Sequence, residues 1–142
     1  MKYFEGDLLQ SGLQHIAHGC NMNGGFGSGV AKAVATKYPK ARGDYWLNFG
    51  GKPGGTIIES LQDDGVTIYN CLTQEWYGPG DKKYVDYNFV AKVFKEFNNI
   101  LPKGAILGIP KIGAGLAGGD WEIIEKIIDD EAKNYEVHCY IL

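Results

Sequence analysis

Apolar segments of strand length alternate along the chain with segments whose apolar residues recur at helical intervals. The clearest helical stripe covers residues 85–101. Strands that alternate with helices are typical of a largely parallel sheet covered by helices on both faces. We therefore predict one α/β domain over residues 1–142, a mixed, mostly parallel sheet of about six strands sandwiched between helices (α/β/α). The predicted strands cover residues 1–5, 13–18, 56–61, 66–72, 105–110 and 137–142.

Capping residues, prolines and turn sequences mark the predicted ends of these elements. A helical pattern begins at Ser28 and ends at Pro39, which also begins the next helix. Asp120 precedes the last amphipathic segment and is a preferred N-cap residue. Asp63-Asp64-Gly65 lies between two predicted strands and indicates a hairpin. Residues 74–83 are predicted to form a loop.

Glycine is the outlier in an otherwise ordinary composition. Hydrophobic residues make up 44% and charged residues 22% of the chain, which is near the average of globular proteins. In contrast, 21 of the 142 residues are glycine, about twice the usual share. This excess indicates loops in which the backbone approaches a bound group closely.

Charge and cysteine usage narrow the expected partners and compartment. The net charge is −3 and there is no long basic run, which disfavours general nucleic-acid binding. Three cysteines without a CxxC pair suit a reducing compartment. The sequence suggests neither a signal peptide nor a membrane-spanning run. We therefore expect a soluble, intracellular, cytoplasmic protein that acts as a monomer and does not bind membranes.

Two glycine-rich segments, residues 18–29 and 110–119, each connect a predicted strand to a predicted helix. Glycines let consecutive backbone N–H groups point at an anion, and a helix N-terminus adds partial positive charge. The first segment fits neither the Walker pattern, since Val30 and Ala31 follow Gly29, nor the GxGxxG dinucleotide fingerprint. Two such loops can hold a diphosphate, although each alone can also be a tight turn.

Three separated motifs resemble those of the macro domain family, in consistent order along nearly the whole chain. They are Gly6-Asp7-Leu8-Leu9, His18-Gly19-Cys20-Asn21-Met22-Asn23-Gly24 through Gly29-Val30-Ala31, and Ile109-Pro110-Lys111-Ile112-Gly113-Ala114-Gly115-Leu116 followed by Trp121. The resemblance is strongest to the branch of small ADP-ribose-1″-phosphate phosphatases, the Appr-1″-p processing enzymes. It implies a macro domain that binds ADP-ribose.

The resemblance also implies roles for individual residues. Asp7 would accept a hydrogen bond from the adenine amino group, and Tyr140 would pack against the adenine ring. Asn21 and Asn23 would face the distal ribose. The implied ligand-binding residues are Asp7, Leu8, Asn21, Asn23, Gly24, Gly25, Gly27, Ser28, Gly29, Val30, Gln74, Ile112, Gly113, Ala114, Gly115, Leu116, Ala117 and Tyr140.

The chain departs from a related branch, the terminal ADP-ribose protein glycohydrolases. At the positions of that branch's catalytic lysine and second-loop aspartate it has Gln74 and Ala117. We therefore do not expect a lysyl-adduct mechanism.

Three residues are candidates for a catalytic role in the hydrolysis of ADP-ribose 1″-phosphate to ADP-ribose and phosphate. Asn23 can hold the attacking water, and His18 or Asp120 can activate it. Each also has a structural interpretation: Asn23 as a left-handed turn residue, His18 as a strand-end residue bonded to backbone, and Asp120 as a helix cap. Trp76 and Tyr77 either pack on the ligand or cover the core. No metal site and no cofactor are expected.

Two rival functions use the same loops. One is a module that binds free or protein-linked ADP-ribose without turnover. The other is a hydrolase that removes ADP-ribose from modified proteins, which requires an open end to the cleft. Both include an ADP-ribosylated protein as a partner.

Overall fold

The computed structural model describes residues 1–78 and 82–142, so residues 79–81 of the predicted loop lie outside it. The described residues form a six-stranded sheet and four α-helices, which confirms the predicted α/β class. The strands are β1 (Lys2–Glu5), β2 (His15–Cys20), β3 (Ile57–Leu61), β4 (Thr67–Leu72), β5 (Ile106–Ile109) and β6 (Glu136–Ile141). The helices are α1 (Gly29–Lys37), α2 (Pro39–Asn48), α3 (Tyr87–Ile100) and α4 (Trp121–Glu131), with a 3-10 turn at Leu8–Gln10.

The strand order is β1-β6-β5-β2-β4-β3. Neighbouring strands run parallel except for β3 and β4, which are antiparallel. The predicted hairpin is therefore confirmed, and Gly65 in its turn has a φ of 88°, which glycine adopts without a Cβ clash. Because the parallel strands end at one edge of the sheet, the loops that follow β1, β2, β4 and β5 meet there.

Two apolar clusters hold the helices on opposite faces of the sheet. Phe94, Phe97 and Ile124 bring α3 and α4 onto one face, and Val34 and Tyr45 bring α1 and α2 onto the other. All five side chains are fully buried, and burying each Phe, Ile or Val contributes about 1.5–3 kcal/mol. Within the described ranges, no helix is both long enough and apolar enough to cross a membrane.

Element boundaries differ from the sequence-based prediction by one or two residues, and two-residue differences are found in β2 and α3. β2 continues two residues past His18, because its last residues pair with the end of β4. α3 begins at Tyr87 instead of residue 85, because Asp86 is its N-cap. The Asp86 carboxylate accepts a hydrogen bond from the N–H of Asn88 at 2.8 Å.

Candidate functional site

A cleft of about 600 Å³ lies at the carboxyl edge of the parallel strands, between the two glycine-rich loops. Ligands of open α/β sheets bind at this edge. Its walls come from the end of β2, both loops and the segment that follows β4. The lining residues are Gly19, Cys20, Asn21, Gly25, Phe26, Gly27, Ser28, Gly29, Val30, Ala31, Gln74, Tyr77, Gly78, Pro110, Lys111, Ile112, Gly113, Gly115, Leu116 and Ala117.

Asn21 shapes the first glycine-rich loop from inside. Its buried side-chain amide donates to the carbonyl of Gly25 at 2.7 Å, and its Oδ1 accepts from the N–H groups of Asn23 and Gly25 at 2.9 and 3.1 Å. The hydroxyl of Tyr45 on α2 donates to the Asn21 carbonyl at 2.7 Å. Asn21 lines the cleft, but its side chain is engaged in holding the loop.

The N-terminus of α1 opens into the cleft without a side-chain cap. Ser28 is the N-cap residue, and its side chain makes no capping hydrogen bond. Within residues 1–78 and 82–142, the N–H groups of Gly27, Ser28 and Gly29 donate no hydrogen bond. The φ of Gly29 is 59°, a left-handed conformation that favours glycine. These exposed donors, together with the helix dipole, form an anion-binding end.

The second loop forms the facing wall. Its conformation is fixed by backbone hydrogen bonds, including Gly119 N–H to the Gly113 carbonyl at 2.7 Å and Tyr84 N–H to the Ala117 carbonyl at 2.7 Å. In the described part of the chain, the N–H groups of Gly115 and Leu116 donate to no protein acceptor. Both loops therefore present unpaired backbone donors at one cleft.

Asp7, Leu8 and Tyr140 lie at the β1 end of this edge and do not line the cleft itself. Asp7 Oδ1 accepts from the Leu9 N–H at 2.9 Å. Asp7 belongs to an adjoining groove that shares Gly29 with the cleft. Leu8 is buried in the core, and half-buried Tyr140 stacks on Phe4 with ring centroids 5.2 Å apart.

The structure does not bring His18 to the cleft, so the general-base assignment has to be corrected. The His18 ring is fully buried, and its Nε2 lies 2.6 Å from Oδ1 of Asn70 on β4. Burial lowers the pKa of His18 to about 4, against the opposing effect of the Asn70 hydrogen bond. A buried imidazole that stays neutral and is already bonded is a core residue.

The other two catalytic candidates also lie outside the cleft lining. Asn23 is exposed and donates from Nδ2 to the Glu75 carbonyl, which ties the first loop to the segment after β4. Asp120 is the N-cap of α4, and its Oδ1 accepts from the Glu122 N–H at 2.9 Å. Asp120 therefore matches its structural interpretation as a helix cap. Asn23 does not match the left-handed turn interpretation, because no described residue other than glycine has a positive φ.

The remaining predicted ligand residues divide between the cleft and its surroundings. Gln74 lines the cleft, and its Nε2 donates to the Trp76 carbonyl at 2.8 Å. Gly24 and Ala114 do not line it, and Gly24 faces α2, where its carbonyl accepts from the Trp46 indole at 2.9 Å. The predicted residues that line the cleft are Asn21, Gly25, Gly27, Ser28, Gly29, Val30, Gln74, Ile112, Gly113, Gly115, Leu116 and Ala117.

Several cleft residues were absent from the predicted ligand-binding set, although packing on the ligand is one of the two roles that the sequence suggests for Tyr77. Phe26 is buried under the first loop with its ring nearly perpendicular to that of His18, and Tyr77 lines the wall formed by the segment after β4. Lys111 lines the cleft where the second loop begins. The sequence indicated only where these residues lie along the chain, because each is within or just beyond a loop that leaves the sheet edge.

Metal-ligating residues do not converge at this site. Among the described residues, no three His, Cys, Asp or Glu side chains lie close enough together to hold a metal ion. Cys20 lines the cleft, but burial raises the pKa of its thiol well above the usual range. The groups that the cleft offers to a ligand are therefore mainly backbone N–H donors, amide side chains, Lys111 and the Tyr77 phenol.

Two proteins of similar sequence align over nearly their whole length. No protein-family model matches the chain. The chain is 28% identical to an ADP-ribose 1″-phosphate phosphatase of Debaryomyces hansenii, over 100% of this chain and 99% of that protein. It is 30% identical to an uncharacterized 17.5 kDa protein from the tk-vs intergenic region of enterobacteria phage T4, over 96% and 93% of the two chains.

A solved structure has the same fold. The macrodomain of Thermus aquaticus DarG superimposes with a TM-score of 0.80 at 20% sequence identity, over 99% of this chain and 97% of that one. At this level of identity the likeness concerns the fold.

Proposed function

This chain belongs to the macro domain family, and we propose that it binds ADP-ribose and hydrolyses ADP-ribose 1″-phosphate to ADP-ribose and phosphate. The observation that carries the proposal is that the residues of both glycine-rich loops whose N–H groups have no partner in the described part of the chain line one cleft. Such donors suit a diphosphate in a protein of negative net charge. The full-length likeness to a protein named as this phosphatase supports the reaction.

In the proposed pose, the ligand crosses the sheet edge from β1 toward β4. The adenine ring lies by Asp7 and Tyr140, and the diphosphate lies between the N-terminus of α1 and the second loop. The distal ribose lies by Asn21 and Gln74. A cleft of about 600 Å³ is within the range of small-molecule sites.

The reaction moves one phosphoryl group to water. A water oxygen attacks the phosphorus, the bond from phosphorus to the 1″ oxygen breaks, and that oxygen leaves with a proton from the water. Phosphoryl transfer relies chiefly on positioning and on stabilising charge over the phosphoryl oxygens, which the loop N–H groups provide in this proposal. Gln74 takes the water-orienting role first considered for Asn23, because Gln74 lines the cleft and Asn23 does not.

A paired assay tests the function. We expect phosphate release from ADP-ribose 1″-phosphate and no release of ADP-ribose from a mono-ADP-ribosylated protein. The reverse pattern would assign the chain to removal of ADP-ribose from proteins.

Gly115→Val tests the role of the second loop. A Cβ at Gly115 meets no atom within 4 Å, and its φ is not in the left-handed region, so the variant should fold. The added methyl groups would occupy the cleft, and we expect calorimetry to show a loss of ADP-ribose affinity of about tenfold or more. Gly50→Val is the matched control, since Gly50 has equally open surroundings and lies outside the cleft. Normal binding by a folded Gly115→Val protein would contradict the two-loop site.

One observation favours a second candidate, a binding module without turnover. His18 is buried and Asp120 caps α4, so neither proposed base lies in the cleft. In this case free ADP-ribose or an ADP-ribosylated protein is the partner, and the assay releases no phosphate. Binding without release of either product would place this function first.

We also propose that the protein acts as a monomer inside the cell. The residues that line the cleft in the described part of the chain come from both glycine-rich loops of one copy, which supports a monomer. The three cysteines are buried and unpaired, which suits a reducing compartment. A measurement of the molar mass in solution tests whether the protein is a monomer.

A further inference from the structure

Tyr77 crosses from the segment after β4 to the backbone of the first glycine-rich loop. A Cβ built on Gly25 would lie 2.7 Å from Cε1 and 2.9 Å from Cζ of Tyr77. The phenol ring therefore rests directly on Gly25, at a contact that only a residue without a side chain permits. Both residues line the cleft.

The segment that carries Tyr77 is tied to the same loop by hydrogen bonds. The Met22 N–H donates to the Glu75 carbonyl at 3.1 Å, and the Asn23 amide donates to the same carbonyl. Gln74 donates to the Trp76 carbonyl at 2.8 Å and forms a bridge with Val85. These contacts hold the segment that carries Tyr77 against the first loop.

The contact between Tyr77 and Gly25 lies on the opposite side of the cleft from the proposed adenine end. Asp7 follows β1, at one edge of the sheet, whereas Tyr77 follows β4, on the far side of β2. A ligand that crosses the edge in this direction has its distal ribose nearest to Tyr77. A group attached to the 1″ oxygen then points at the contact between Tyr77 and Gly25.

We infer that Tyr77 determines specificity by closing the distal end of the cleft, so that the 1″ substituent has to be small, as a phosphate is. A peptide or protein on the 1″ carbon would need the space that the ring occupies, and steric exclusion of this kind is a common source of selectivity. The inference rests on the proposed ADP-ribose pose. It explains why the cleft suits a phosphatase better than an enzyme acting on modified proteins.

The experiment compares binding of ADP-ribose with binding of a peptide that carries ADP-ribose through its 1″ carbon. For the wild-type protein, calorimetry should show tighter binding of ADP-ribose by about tenfold or more. Tyr77→Ala should bring the two affinities to within about threefold, because the end of the cleft is then open. Tyr77→Phe keeps the ring and should keep the wild-type ratio.

Trp76→Ala is the matched control. Trp76 is 60% exposed and Tyr77 57% exposed, and the two are adjacent aromatic residues, but Trp76 does not line the cleft. We expect wild-type selectivity in this variant. Two outcomes would overturn the inference and leave the proposed function standing. One is equal binding of both ligands by the wild-type protein. The other is a folded Tyr77→Ala protein with an unchanged ratio of the two affinities. Wild-type protein that does not bind ADP-ribose would overturn both.

Discussion

His18 lies beside Asn70, its partner in the register of β2 and β4, and its ring packs nearly perpendicular to that of Phe26. An imidazole at the end of a strand next to a glycine-rich loop is a reasonable catalytic candidate by sequence. The 2.6 Å contact with Asn70 and the complete burial of the ring instead make it a polar part of the core. The Asn21 side chain is likewise used within the protein, because its hydrogen bonds hold the first loop.

Burial of His18 predicts a loss of stability in mild acid. The folded pKa is about 4, below the unfolded value of about 6.5, so the unfolded chain binds the proton first. Stability from this source is complete above pH 6.5 and is lost as the pH falls toward 4. We expect the free energy of unfolding to drop by about 2 kcal/mol between pH 7.5 and pH 5, measured by denaturant titration. His18→Gln should remove most of this drop, and an equal drop in that variant would contradict the assignment.

At the scale of elements, the two loops differ in how their adjoining helices begin. α4 is capped by Asp120, whereas the cap position of α1 makes no side-chain hydrogen bond and opens into the cleft. An uncapped helix end costs stability unless something else pairs with its N–H groups. In this protein the proposed partner is the diphosphate.

Substitutions of Asp120 distinguish a helix-capping role from a general-base role. Asp120→Ala should lower the free energy of unfolding by about 1 kcal/mol, and Asp120→Asn should leave it nearly unchanged, because asparagine caps a helix about as well. Phosphate release should be close to the wild-type rate in both variants, since Asp120 does not line the cleft. A large rate loss in a fully stable Asp120→Asn protein would restore the base assignment.

At the scale of the whole molecule, the cleft joins the two helical layers. The first loop leads into α1 on one face of the sheet, and the second leads into α4 on the other. A ligand that contacts both loops is therefore held by both layers. A ligand that contacts only the adenine end and the first loop is held by one layer.

This arrangement predicts preference for ADP-ribose over AMP. ADP-ribose reaches the second loop and the distal end, and AMP leaves part of their donors unpaired. At a concentration of about 100 times its Kd, ADP-ribose should raise the free energy of unfolding by about 2.7 kcal/mol, with a smaller effect from AMP at the same concentration. Thermal unfolding and calorimetry measure the difference, and equal affinities would contradict the two-loop pose.

The local pattern of the sequence was sufficient for the element order and for the position of both glycine-rich loops. The alternation of apolar segments, the Asp63-Asp64-Gly65 turn and the capping residues act over a few positions, and the hairpin and the six strands follow from them. The three ordered motifs similarly indicated the family. The boundaries of β2 and α3 did not follow from this pattern, because strand pairing and the Asp86 cap decided them.

Which side chains face the cleft was decided by the tertiary structure. His18 is held in the core by its contact with Asn70, 52 residues away. Tyr77 is placed by its contact with Gly25 of the first loop. Both arrangements depend on the register of β2 with β4 and on where the loop after β4 meets the first loop. Such contacts join residues far apart in the chain, so neither periodicity nor residue type could reveal them.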